Sequence, residues 1–177
     1  MIELLQFQRE ASTQIADRFI EYHANPEIKG TKKHQKDVPF FQALGALTGA
    51  GKTVVLADAV SQIASSLASA PVVLWLSKGK AVVEQSYANL APGGKYHHLL
   101  GPSNVKQLSE YDANEVEHTS VPVILFATVG TFNQKDMQDG TLTIYRSDLD
   151  TTEQSVWDAL SERTDATGAR CCGYGRC

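Results

Sequence analysis

The sequence predicts an α/β fold, a parallel sheet with flanking helices, and three observations carry that expectation. A glycine-rich loop, Thr48-Gly49-Ala50-Gly51-Lys52-Thr53, joins an apolar run to a helical pattern. Two further apolar runs, Pro71 to Ser77 and Val121 to Ala127, are long enough to cross a sheet but too short for helices. A segment of helical period follows the first of these runs, and strands separated by helices pair in parallel.

Taken in chain order, Ala11, Ile15, Phe19 and Tyr22 recur every three or four residues from Gln8 onward, which predicts an amphipathic helix ending near Asn25-Pro26. Glu27 to Pro39 carries Lys29, Lys32, Lys33 and Lys36 with little apolar content and reads as a mobile loop, either a solvated linker or a phosphate-contacting patch. Phe40 to Leu47 reads as a strand leading into the glycine loop. Val55, Ala59, Ile63 and Leu67 then mark a helix. The continuous run Pro71-Val72-Val73-Leu74-Trp75-Leu76-Ser77 predicts a buried strand. Val83, Tyr87 and Leu90 place a helix before the stop at Pro92-Gly93-Gly94. Residues 99 to 118 are expected to hold a short helix around Val105 to Tyr111, and Val121 to Ala127 a third buried strand. Beyond Phe132 the chain turns polar, with a weak helix expected from Gln154 to Arg163.

Length and composition agree with one α/β domain of ordinary soluble type: 177 residues, 42% apolar and 20% charged, with a net charge of −4. That charge excludes a strongly cationic body that binds nucleic acid by bulk attraction, so any such contact is local. No apolar run reaches the roughly 18 residues of a membrane helix. The start, Met1-Ile2-Glu3-Leu4-Leu5-Gln6, lacks the order of a signal peptide. The expectation is a cytoplasmic protein without membrane contact. The three cysteines, Cys171, Cys172 and Cys177, all fall at the very end, which suggests no disulfide framework. They supply too few ligands for a tetrahedral zinc site. His97-His98 and the other histidines read as surface or loop residues.

The strongest chemical signal is the glycine loop. Consecutive backbone N–H groups at a helix N-terminus form an anion nest, so Thr48, Gly49, Ala50, Gly51, Lys52 and Thr53 are expected to cradle phosphate. Lys52 would reach the β- and γ-phosphates of a nucleotide, and the Thr53 hydroxyl would take one position on Mg²⁺. A tight structural turn between strand and helix is the alternative. The loop reads Ala-x-x-Gly-x-Gly-Lys-Thr from Ala46 to Thr53, with alanine where the general phosphate-loop pattern has its first glycine.

That variant resembles motif I of superfamily 2 helicases and translocases, whose first motor domain is a RecA-like P-loop NTPase. Leu5 to Ala11 looks like the family's adenine-reading Q motif, with Gln8 as the glutamine and Phe7 as the preceding aromatic; a glutamine amide pairs with an adenine edge through donor and acceptor together. Gly79 to Gln85, after the strand ending at Ser77, resembles motif Ia, and Phe126 to Gln134 resembles the later strand-end motif whose threonines touch phosphates. The resemblance implies nucleic-acid contacts at Lys78, Gly79, Lys80, Gln85, Thr128 and Thr131. Val73 to Ser77 combined with Ala127 to Phe132 is similar to the restriction-subunit branch of the DEAD/DEAH-type proteins, exemplified by type III restriction enzymes. It covers roughly residues 3 to 165. The resemblance implies ATP and Mg²⁺ as cofactors, DNA as substrate and a methyltransferase or modification subunit as partner.

The family pattern also calls for a buried strand ending in Asp-Glu, one carboxylate serving Mg²⁺ and the next orienting the attacking water. No Asp-Glu pair occurs in the sequence. Asp112, Asp136, Asp148 and Asp150 are among the acids near or beyond the plausible sheet edge, and none follows an apolar strand. The expectation is therefore a partial ATP-binding helicase domain over residues 1–170, incomplete at its C-terminus, with an aberrant Cys/Gly/Arg tail over 171–177. It would bind nucleotide with negligible turnover. A small P-loop kinase or NTPase, and a nucleotide- or partner-binding fragment without catalysis, remain the competing readings.

Overall fold

The computed structural model describes residues 3–31, 34–110 and 119–132. The helix expected from Gln154 to Arg163, the cysteine tail and the acids Asp112, Asp136, Asp148 and Asp150 lie outside the described residues.

The chain begins with helix α1 (Gln6–Ala24) and forms a β-hairpin from β1 (Ile28–Thr31) and β2 (His34–Asp37). After the glycine loop come α2 (Lys52–Ser66), β3 (Val72–Ser77), α3 (Lys80–Leu90), β4 (Asn104–Gln107) and β5 (Val123–Thr128). The sheet order is β3-β5-β4, with β5 parallel to both neighbours. Its central place explains why Val123, Ile124, Leu125, Phe126 and Ala127 are all buried: a parallel strand covered on both faces has no polar side. Strand β3, expected to be buried throughout, is only half-buried, because among the described residues it has a sheet partner on one side alone.

Helices α2 and α3 build the core against this sheet. Val54 and Ala57 of α2 and Val83 and Leu90 of α3 join Leu99, Leu100, Val105, Ile124 and Phe126 in one apolar cluster. Phe126 sits at its centre, stacked on Trp75 at 5.5 Å and met edge-on by Tyr87 at 5.7 Å. Trp75 and Phe126 are register partners on adjacent strands, so the aromatic pair follows directly from the pairing.

Helix α1 lies on α2 through a face one residue away from its apolar stripe. Ser12 and Ala16 are its fully buried residues, whereas Ala11, Ile15, Phe19 and Tyr22 are half-buried. Ser12 is accommodated by hydrogen bonding. Its hydroxyl lies 2.5 Å from Asp58 Oδ2, which also accepts from Gln62 Nε2 at 2.7 Å. Bonds to a charged acceptor are worth about 1.5–3 kcal/mol, and Asp58 is half-buried, so Ser12→Ala is expected to cost about 1–2 kcal/mol by urea denaturation. An unchanged midpoint would show that the contact contributes nothing.

Three expectations are corrected. Glu27 to Pro39 is not a mobile loop: most of it is the β1–β2 hairpin, with Ile28 opposite Asp37 and Thr31 opposite His34, closed at its base by Val38 N–H donating to Glu27 O at 2.7 Å. Phe40 to Leu47 is not a strand. Phe40 turns back onto α1, meeting Phe19 and Tyr22 at ring distances of 6.0 and 5.1 Å, while Phe41 and Leu47 are exposed, so the run is spent on a helix contact and on solvent instead of the sheet. Val105 to Gln107 is strand, not helix, followed by a 3₁₀ turn over Leu108–Glu110. Pairing of Asn104 to Gln107 with Val123 to Phe126 outweighs the local helical pattern. His97 is half-buried and opens a 3₁₀ turn over His97–Leu99, its Nδ1 2.9 Å from Leu90 O.

Candidate nucleotide site at the glycine loop

Gly49 and Gly51 hold φ angles of +85° and +81°, a left-handed conformation that a side chain disfavours. Gly51 is also the N-cap of α2, whose first turn has no acidic residue and no side-chain cap. The result is a helix N-terminus whose positive dipole end and amide donors are uncompensated, an environment suited to an anion. Lys52 and Thr53 are its first two residues. The Lys52 ammonium folds back on the loop, donating to Ala46 O at 2.5 Å and Leu47 O at 2.9 Å. Thr48, Gly49 and Lys52 are exposed, and Ala50, Gly51 and Thr53 are half-buried.

Gln8 lies directly against this loop. Its Nε2 donates to Ala50 O at 3.0 Å, and its Oε1 accepts from Leu5 N–H at 3.0 Å. One amide therefore ties the start of α1 to the turn before α2, joining residues 42 apart in sequence. Phe7 stands beside it with 52% of its surface exposed, free to offer a ring face. Gln42 was not singled out by sequence: its Oε1 is buried without a hydrogen-bond partner among the described residues. An acceptor in that state costs about 1–3 kcal/mol until it meets a donor. A lone glutamine in an apolar run gives no signal from which this could be read.

The remaining candidates gather at the carboxyl edge of the sheet. Ser77 and Thr128 are register partners, so β3 and β5 end side by side. Lys78 and Gly79 follow β3 immediately, and Lys80 opens α3, where it pairs with Glu84 at 3.7 Å. Gln85 is exposed one turn further on. Thr128 and Thr131 approach each other to 3.1 Å between hydroxyl oxygens. Helix α2, about 22 Å long, returns through a short connection to the start of β3, about 20 Å long, which carries the N-terminus of α2 toward this same edge. Asn133 and Gln134 lie outside the described residues.

An uncapped helix N-terminus preceded by left-handed glycines, packed on a parallel sheet with helices around it, defines the P-loop NTPase class of domain. The chain belongs within that class to the family described as type III restriction enzyme, res subunit, whose sequence model matches residues 1–157. The family makes this a helicase-like, ATP-binding domain. Comparison with curated proteins and with solved structures yields no match. Among the described residues no helix is long and apolar enough to cross a membrane.

Proposed function

We propose that the chain binds ATP with Mg²⁺ at the loop from Thr48 to Thr53 and works as the nucleotide-binding part of a DNA helicase or translocase of the restriction-subunit kind. The observation that carries this reading is the uncapped N-terminus of α2 behind two left-handed glycines, in a chain of this family. The loop amides bind phosphate oxygens, and Lys52 exchanges the carbonyls of Ala46 and Leu47 for the β- and γ-phosphates. The Thr53 hydroxyl would hold the metal ion, which would supply positive charge against that of the phosphates. Phe7 offers its exposed ring to the base. Gln8 reads the adenine edge with what its existing contacts leave free, the second N–H of its amide and the second lone pair of its oxygen.

DNA phosphates meet Lys78, Gly79, Lys80, Gln85, Thr128 and Thr131 at the carboxyl edge, and a modification subunit is the partner of this reading. Positioning of this kind fixes the strand without reading its sequence. The 177 residues contain no Asp-Glu pair, and β5 closes on Thr128. These residues by themselves bind nucleotide without appreciable turnover.

The test is calorimetric titration with Mg-ATP. Lys52→Ala is expected to weaken binding about 10- to 100-fold, the loss of charge-assisted bonds worth about 1.5–3 kcal/mol less the two loop contacts it gives up. Equal affinity of the two proteins would refute the site. Phosphate release measured with and without DNA distinguishes binding from turnover. Release at several turnovers per second that disappears in Lys52→Ala would overturn the second part of the reading.

A further inference from the structure

Helix α1 carries Gln8, and a polar network holds that helix against α2. Gln8, Ser12 and Ala16 are spaced by four and form one stripe, in which Ser12 and Ala16 are fully buried. The Ser12 hydroxyl donates to Asp58 Oδ2 at 2.5 Å. Gln62 Nε2 donates to the same carboxylate oxygen at 2.7 Å and lies 3.3 Å from the Ser12 oxygen. The three groups close a triangle in the seam between the helices. Asp58 and Gln62 are half-buried, and among the described residues Asp58 forms no ion pair. What a satisfied polar network adds to such a seam is direction, because its bonds hold in one arrangement only.

Apolar packing does not supply that direction here. The stripe of Ala11, Ile15, Phe19 and Tyr22 is only half-buried, and Ala11 and Ile15 lie about 100° around the helix from Ser12 and Ala16. Leu4 packs on the core ahead of α1, and Phe40 covers Phe19 and Tyr22 near its far end. Contacts of this kind are non-directional: they hold the helix down but leave it free to turn toward its apolar side. The triangle opposes that turn one helical turn beyond Gln8, whose Nε2 reaches Ala50 O at 3.0 Å. Rotation by a single residue position would carry the Gln8 amide off the glycine loop.

We propose that Ser12, Asp58 and Gln62 are positioning residues for base selection: their triangle fixes the rotation of α1 on α2 and so sets the Gln8 amide where it takes ATP in preference to GTP. The proposal rests on the adenine-reading role given to Gln8 above. A glutamine amide presents a donor and an acceptor side by side, which match the N7 acceptor and N6 donor of adenine, whereas guanine offers acceptors at both N7 and O6. Discrimination of this kind depends on the direction of the amide, hence on the rotation of α1. Phosphate binding depends chiefly on the loop amides and Lys52. The triangle therefore acts on the ratio of ATP to GTP affinity more than on affinity for phosphate.

The test is calorimetric titration of the full chain with Mg-ATP, Mg-GTP and Mg-tripolyphosphate, the last a probe of the phosphate loop alone. Asp58→Ala is expected to lower ATP affinity about 5- to 100-fold, the loss of two base-reading hydrogen bonds. Tripolyphosphate should be affected far less, and the ratio of ATP to GTP affinity should move toward one. Asp58→Asn, whose amide oxygen takes the place of Oδ2, should retain most of the preference. In a Gln8→Ala background Asp58→Ala should change ATP affinity no further, because the two residues act as one unit. Ser12→Ala is the milder change; it should move the ratio in the same direction, and it carries the test if Asp58→Ala does not fold. An equal loss for all three ligands would mark a general loosening of the fold and overturn the proposal. A Gln8→Ala variant that loses the preference while Asp58→Ala and Ser12→Ala keep it would overturn the positioning role and leave the adenine reading standing. If the wild-type chain binds ATP and GTP alike and Gln8→Ala changes neither, the adenine reading itself falls and the proposal with it.

Discussion

Phe126→Ala is expected to lower stability by about 3–5 kcal/mol, the range for truncating a fully buried aromatic. Phe126 is 2% exposed and lies on the central strand, where the Trp75 ring, the Tyr87 ring and the apolar residues of α2 and α3 converge on it. Its loss removes apolar transfer energy and leaves a cavity bounded by a sheet on one side and by helices on the other, neither of which can collapse inward without breaking strand pairing. The effect extends to function because Thr128 is two residues further along β5, at the edge shared with Lys78 and Lys80. A urea titration should show a lower midpoint with an unchanged slope. A cost below about 1 kcal/mol would mean that the packing around Phe126 is looser than the ring contacts indicate.

Gly51→Ala is expected to cost about 2–5 kcal/mol, from two sources. The left-handed φ of +81° imposes about 1–2 kcal/mol on any residue with a Cβ. The new Cβ would also lie 2.5 Å from Gln8 Nε2, so the Gln8 amide must swing away. That movement forfeits its bonds to Ala50 O and Leu5 N–H, each worth about 0.5–1.5 kcal/mol. Gly49→Ala is the control. Its φ is +85°, but nothing lies within 4 Å of the added carbon, so only the conformational part applies. Combining Gly51→Ala with Gln8→Ala should reveal the clash as non-additivity: in the Gln8→Ala background the cost of Gly51→Ala falls toward that of Gly49→Ala. Equal costs in both backgrounds would show that Gln8 does not press on the loop. Nucleotide affinity should fall with Gly51→Ala as well, since the same turn aims the loop amides.

The parts of the fold that were readable from sequence are those with a single periodic signal. Val123 to Ala127 had one reading, a buried strand, because five consecutive apolar residues bounded by Pro122 and Thr128 suit nothing else of that length. The helices after the glycine loop and after Ser77 were equally plain. The glycine loop carried its own chemistry, since Gly49 and Gly51 stand where left-handed turns occur and Lys52-Thr53 opens the helix. Elsewhere composition alone points the wrong way. Phe40 to Leu47 looked like a strand because it is apolar, but apolar residues satisfy a helix contact as well as a sheet. Glu27 to Pro39 looked like a loop because it is polar, yet cross-strand backbone pairing requires no apolar side chain.

The amino-acid order alone therefore determined the glycine loop, the helix behind it and the parallel arrangement of the strands, since each depends on local backbone preference or on unbroken apolar runs. Tertiary structure decided what depends on partners distant in the chain. It chose strand over helix at Val105, because β5 supplied a ladder of hydrogen bonds that the local pattern could not foresee. It buried Ser12 by bringing Asp58 within reach, 46 residues away. It set the Gln8 amide against Ala50, turning a residue expected only to read adenine into a brace of the loop. Polar side chains are cheap to bury only where a partner meets them, and the location of that partner is a property of the folded chain.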